Sequence, residues 1–295
     1  MLWLIMLRSK PVSCSPPSLP AWHLFPLFLT FVAMSTILIV LLLVGILILL
    51  IVQIERNYAW QQPEHPFPLE WRRVLSQKVP FYQSLSKTDK KTFEYEVQEF
   101  LLNCQITGIE TEVTATDRLL VAASAVIPIF HFPEWKYDNL SEVLLYSTTF
   151  NHDFQTEGEE RRILGMVGTG FMNGQMILSK PALHLGFANE TDKKNTAIHE
   201  FVHLLDKADG SIDGIPEWLL KKQYVLPWMQ LMEKKIDEIY EGRSDINPYG
   251  GTKKSEFYAV AAEYFFERPH LLKKKHPELY GMLDEIFKTP DRAGA

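Results

Sequence analysis

The stretch His199-Glu200-Phe201-Val202-His203 places three chemically capable side chains within five residues. Histidines four apart sit one turn from each other on a helix, so both imidazoles stack on one face and can reach one ion. Zinc accepts imidazole nitrogen at tetrahedral positions; a catalytic site adds one more protein ligand and leaves a place for water. Glu200 is turned by one residue from His199, which sets its carboxylate beside that water rather than on the ion. The ion would acidify the water, and Glu200 would take its proton and pass it to a leaving amine. The competing reading is a pair of histidines packed on a core helix, because Ile198, Phe201, Val202, Leu204 and Leu205 make several faces apolar. Two imidazoles on one buried stripe are costly unless something satisfies their nitrogens. The pattern therefore predicts one Zn2+ per chain and hydrolysis of a peptide bond.

The third ligand is not local. A run HExxHxxGxxH would need glycine where Asp206 stands and histidine where Asp209 stands, which excludes that arrangement. A carboxylate on another helix is the alternative. Residues 255–268 (SEFYAVAAEYFFER) read as that helix, with Glu256 and Glu263 seven apart and so on the same face. Spacing alone leaves both open. Asp206 falls on the ligand face, where it either orients an imidazole or serves as a helix-end carboxylate beside Asp209-Gly210.

These residues need a scaffold. Residues 193–206 read as the motif's helix, capped from Asn189, Thr191 or Asp192 and ended at Asp209-Gly210. Residues 87–103 have amphipathic spacing, with Phe93, Val97, Phe100 and Leu101 to one side, and 117–127 form a strongly apolar helix. Residues 142–150 (EVLLYSTTF) and 176–183 (MILSKPAL) read as strands. Pro181 would suit an edge strand, which could pair with an extended substrate. Gly165, Gly168, Gly170 and Gly174 mark a turn-rich stretch between them; their spacing misses the nucleotide-binding GxGxxG and precedes a strand rather than a helix. The fold class expected is α+β, mainly helical, with a small sheet.

The chain has 295 residues, 46% of them hydrophobic, enough for one sizeable core. A formal charge of −6 argues against nucleic acid as a partner, since phosphate binding needs a basic surface. Cys14 and Cys104 lie far apart, so neither a disulfide framework nor a thiolate metal site is expected. Residues 34–54 (MSTILIVLLLVGILILLIVQI) carry no charge and as a helix would span roughly 31 Å, the thickness of a bilayer's hydrocarbon. They read as an uncleaved single-pass membrane anchor. Met34 opens the run, and translation is expected to begin there, with 1–33 a mis-assigned N-terminal segment. Arg56, Arg72, Arg73 and Lys78 follow the span, which places the remainder in the cytoplasm. A proline-rich linker over 55–68 then leads to a peptidase domain over 69–290.

The combination His199-Glu200-Phe201-Val202-His203-Leu204-Leu205-Asp206, Asp209-Gly210, Gly214-Ile215-Pro216, Asn247-Pro248-Tyr249 and Ser255-Glu256-Phe257-Tyr258-Ala259-Val260 with Glu263-Tyr264-Phe265-Phe266 resembles the Mlc titration factor A family of zinc peptidases. Phe132-Pro133-Glu134-Trp135, Tyr137 and Pro277-Glu278-Leu279-Tyr280 extend the resemblance over most of 66–290. The catalytic region is also similar to that of anthrax lethal factor. The resemblance implies a zincin-like domain in which Glu256 is the third zinc ligand, with His199 and His203. It implies that Tyr249 hydrogen-bonds the developing oxyanion while Glu200 acts as the base. It further implies aminopeptidase-type activity and, as partner, a cytoplasmic regulator such as a transcriptional repressor. The membrane segment departs from the soluble member of that family. A tethered, non-catalytic binding protein that sequesters such a repressor is the alternative function, and the presence of Glu200 weighs against it.

Overall fold

The computed structural model describes residues 34, 36–37, 39–49, 60–158, 161–189 and 192–288. The described part of 34–54 is helical, and the rest of that run lies outside the described residues, as do 1–33 and Cys14. Among the described residues no helix is long and apolar enough to cross a membrane.

From Trp60 onward the chain forms one compact unit. Pro68 leads into α1 (Leu69–Lys78), and Pro80 opens α2 (Pro80–Ser84) at a position where its missing N–H costs nothing. Helix α3 (Lys87–Asn103) starts at Ser86, whose hydroxyl accepts the Asp89 amide. Its apolar positions Phe93, Val97 and Phe100 are buried as their spacing predicts. Strand β1 (Gln105–Ile109) follows. Helix α4 (Ala115–Ile129) is fixed by a reciprocal capping box between Thr114 and Asp117 and is buried along nearly its whole length. It packs on α1 and α3.

The sheet holds β1, β2 (Glu142–Tyr146), β3 (Gly165–Val167) and β4 (Gln175–Ser179) in the order β1-β2-β4-β3. The first three neighbours run parallel, and β3 lies antiparallel to β4. Two expectations are corrected here. The strand over 142–150 stops at Tyr146, and Phe150 instead makes an isolated bridge to Ile163. The segment 176–183 is neither one strand nor an edge: β4 is flanked by β2 and β3, and α5 (Lys180–Ala188) takes over at once with Pro181 in its first turn. A proline is as compatible with that position as with an edge strand. The edge beside the motif helix is β3.

Helix α6 (Thr196–Asp206) carries the motif and packs on α4, α5, α8 (Lys254–Glu267) and β3. Its back is anchored by Phe201, whose ring meets Phe100 at 5.7 Å and Tyr137 at 5.2 Å. Tyr137 is itself fixed by a 2.7 Å hydrogen bond to the Ala125 carbonyl in α4. Helices α7 (Lys222–Tyr240), α9 (Pro269–Lys275) and α10 (Pro277–Lys288) pack on α8.

Candidate metal centre and its cleft

Helix α6 begins three residues later than its sequence suggests. Asn195, and not Asn189, Thr191 or Asp192, is the cap: its side-chain oxygen accepts the Ile198 amide at 3.2 Å. Asn195 stands four before His199, and the Asn195 carbonyl accepts the His199 amide at 2.9 Å. The first turn of the helix is thereby fixed directly beneath the first imidazole.

His199, Glu200 and His203 are all buried, at 8%, 6% and 8% exposure. His199 Nε2 lies 3.1 Å from His203 Nε2 and 3.1 Å from Glu256 Oε2, while His203 Nε2 lies 3.4 Å from the same oxygen. Around a tetrahedral zinc with bonds of about 2.0–2.2 Å, ligand atoms stand roughly 3.3–3.6 Å apart. The triangle fits such an ion, and the three residues form a group able to hold one. Glu263, the other candidate ligand, faces elsewhere: its Oε1 sits 2.8 Å from His199 Nδ1, and its Oε2 accepts the Asn195 amide at 2.6 Å. A carboxylate on Nδ1 places the imidazole proton there and leaves the Nε2 lone pair for a metal. One face of α8 thus supplies two carboxylates with different work, Glu256 at the triangle and Glu263 behind it.

The electrostatics agree with this arrangement. Burial opposes a charged His199, but Glu256 and Glu263 overcome it and hold its pKa up to about 10. Burial likewise opposes a charged Glu256, yet the two histidines pull its carboxyl well below the usual range. Two imidazoles and a carboxylate this close repel or bind protons until a cation takes their place.

Glu200 is raised by burial, against the pull of the two histidines. It lines a cleft of about 490 Å³ together with His199 and Tyr249. Gly165 of β3 closes over it. A Cβ on Gly165 would stand 2.6 Å from Glu200 Cγ and 2.7 Å from Oε1, so any side chain there would force Glu200 or the strand to shift. Tyr249 sits in a 3-10 turn (Pro248–Gly251) capped by Asn247, whose side chain accepts the Tyr249 amide at 3.1 Å. Its ring lies 6.0 Å from that of His199, and it keeps 53% exposure to the cleft. Burial first, then the charges of Glu256 and Glu200, raise its phenol above the ordinary value.

Asp206 does not touch an imidazole among the described hydrogen bonds. Both its oxygens accept the Gly214 amide, so it acts at the helix end. His203 Nδ1 has no partner among the described residues. The sequence reading missed Asn195 and Gly165. An Asx residue four before the first histidine could have pointed to the cap; nothing local marks Gly165.

A model of the family described as glucose-regulated metallo-peptidase M90 matches residues 53–288. The chain belongs to this family. Similar proteins include a Mlc titration factor A of Pectobacterium atrosepticum, 25% identical over 77% of this chain and 88% of the relative. One from Escherichia fergusonii is 27% identical over 78% and 89%. An uncharacterized protein of Synechocystis is 28% identical over 76% and 85%. Membership of M90 implies a metal, and the triangle of His199, His203 and Glu256 is where this chain could hold it.

Proposed function

We propose that this M90 member is a zinc-dependent peptidase, with His199, His203 and Glu256 as metal ligands. The observation that carries the proposal is the approach of three ligand atoms to within 3.1–3.4 Å of one another beside a buried Glu200. A bound zinc would polarise a scissile carbonyl and acidify a water. Glu200, its affinity for a proton increased by burial, is placed to take a proton from a water in the cleft and would deliver it to the leaving amine. Tyr249 donates its phenol to the oxyanion that develops on the carbonyl. Strand β3, at the sheet edge beside α6, pairs with an extended substrate.

The resemblance implies aminopeptidase-type cleavage. We propose that cleavage by this chain is of that aminopeptidase type. We also propose that 34–54 anchors the chain at a membrane with the peptidase unit in the cytoplasm. The titration-factor name of its relatives suggests a regulatory protein as a further partner.

The test uses the full-length chain. Zinc content and hydrolysis of a broad peptide library are measured for wild type and Glu200→Gln. Zinc at one per chain with activity lost in the variant is expected. Full zinc occupancy without hydrolysis of any peptide overturns the enzyme reading, and equal activity in the variant overturns the role of Glu200.

A further inference from the structure

The charged side chains of the cleft divide sharply. The carboxylates that line it, Glu200 and Glu263, are buried and engaged in the centre itself. Among the described residues that line it, the exposed charged side chains are Arg162 ahead of β3 and Lys194 ahead of α6. In a chain of net charge −6, cations gathered on one cleft are not what composition alone would distribute.

Neighbouring cations in the same segments have partners. Lys193 donates to the Asp245 carboxylate at 3.0 Å and lies over the Tyr264 ring at 4.7 Å. Arg161 donates to the carbonyls of Gly158 and Thr156. Among the described residues, no carboxylate pairs with Arg162 or with the Lys194 ammonium. Lys194 also precedes the N-cap of α6, where the positive end of the helix dipole disfavours a cation. Its position becomes favourable when an anion is present.

We propose that Arg162 and Lys194 bind a carboxylate of the substrate, either an acidic side chain near the scissile bond or the peptide's C-terminal carboxylate. This rests on the peptidase reading for its place in catalysis, but binding can be read without turnover. Guanidinium donates two parallel N–H groups to a carboxylate, and a lysine adds a mobile third contact. Both cations are solvent-reachable, so the preference they create weakens with salt.

The experiment measures binding of fluorescent peptides with a free N-terminus to the zinc-loaded full-length Glu200→Gln protein. One set carries Glu, Gln or Lys at successive positions with an amidated C-terminus; a second carries Gln throughout with a free or an amidated C-terminus. A preference of about tenfold or more for the carboxylate-bearing peptide is expected. It should shrink at high salt and vanish in Arg162→Gln and Lys194→Gln, with zinc content unchanged. A preference only in the first set assigns the site to an acidic side chain, and only in the second to the C-terminus. Equal affinity for Glu, Gln and Lys peptides and for both C-termini overturns the inference, as does a preference for Lys. If the preference holds while wild type cleaves none of the bound peptides, the enzyme reading fails and the carboxylate site stands.

Discussion

Both carboxylate oxygens of Asp206 accept the single amide of Gly214, at 3.1 and 2.9 Å. The Gly214 carbonyl in turn accepts the indole N–H of the buried Trp228 at 2.7 Å. This one residue joins the two ligand-bearing helices. Asp206 ends the helix of His199 and His203, and Gly214 lies against Lys254 and Ser255, the residues just before Glu256. At φ +80 and with a Cβ that would fall 2.4 Å from the Lys254 carbonyl oxygen, Gly214 admits no side chain. Gly214→Ala is expected to push the start of α8 away and weaken zinc binding by about 10–100-fold. Competition with a chelator measures this. Wild-type zinc affinity in the variant would show that the joint does not set the place of Glu256.

What the sequence made legible was what repeats locally. The helical stripe of α3 and the four-residue spacing of His199 and His203 depend on helix period alone, and both appear where expected. Glu256 and Glu263 share a face by the same rule, but which one meets the imidazole Nε2 atoms depends on how α8 crosses α6, and only the resemblance distinguished them beforehand. Pro181 misled because an edge strand and a first helical turn tolerate the same missing N–H. Asp206 looked equally suited to an imidazole or a helix end, and the choice fell to Gly214, a partner eight residues on across a turn. Gly165 was invisible because its need for a missing side chain arises from Glu200, on another element.

The two α8 carboxylates should separate experimentally. Glu256→Ala removes a member of the triangle and should abolish stoichiometric zinc. Glu263→Ala leaves the triangle intact but frees the His199 ring and the Asn195 amide, and should weaken zinc by about 10–100-fold while still allowing full loading at excess metal. Metal titration of both variants checks the assignment, and the reverse order would exchange their roles.

Glu96 gives a test of stability apart from the site. Neither of its carboxylate oxygens has a hydrogen-bond partner among the described residues, and it is 8% exposed. Burial, opposed in part by Lys136, lifts its pKa from 4.5 to about 8. Between those two values the unfolded chain is ionised while the folded chain holds the proton. Folding therefore takes up a proton, and its stability falls as pH rises through that window. Glu96→Gln removes the titration, so it should gain stability over wild type by up to roughly 1–3 kcal/mol as pH rises from 5 to 8. Denaturant unfolding across that range measures the gain; a difference independent of pH would show that Glu96 does not titrate in the fold.

Gly165→Ala isolates the base from the metal. The added methyl would occupy space within 2.6–2.9 Å of the Glu200 side chain, so Glu200 must turn away or β3 must retreat. His199, His203 and Glu256 lie outside that contact, and zinc affinity should stay within about twofold of wild type while kcat falls by about 10²-fold or more, the usual reach of general base catalysis. Because β3 also pairs with substrate, a retreat of the strand would raise KM instead and leave kcat closer to wild type. Steady-state kinetics with zinc titration separates the two. A fall in kcat at constant KM assigns Gly165 to holding Glu200, a rise in KM alone assigns it to the strand, and loss of zinc would mean that neither account describes the contact.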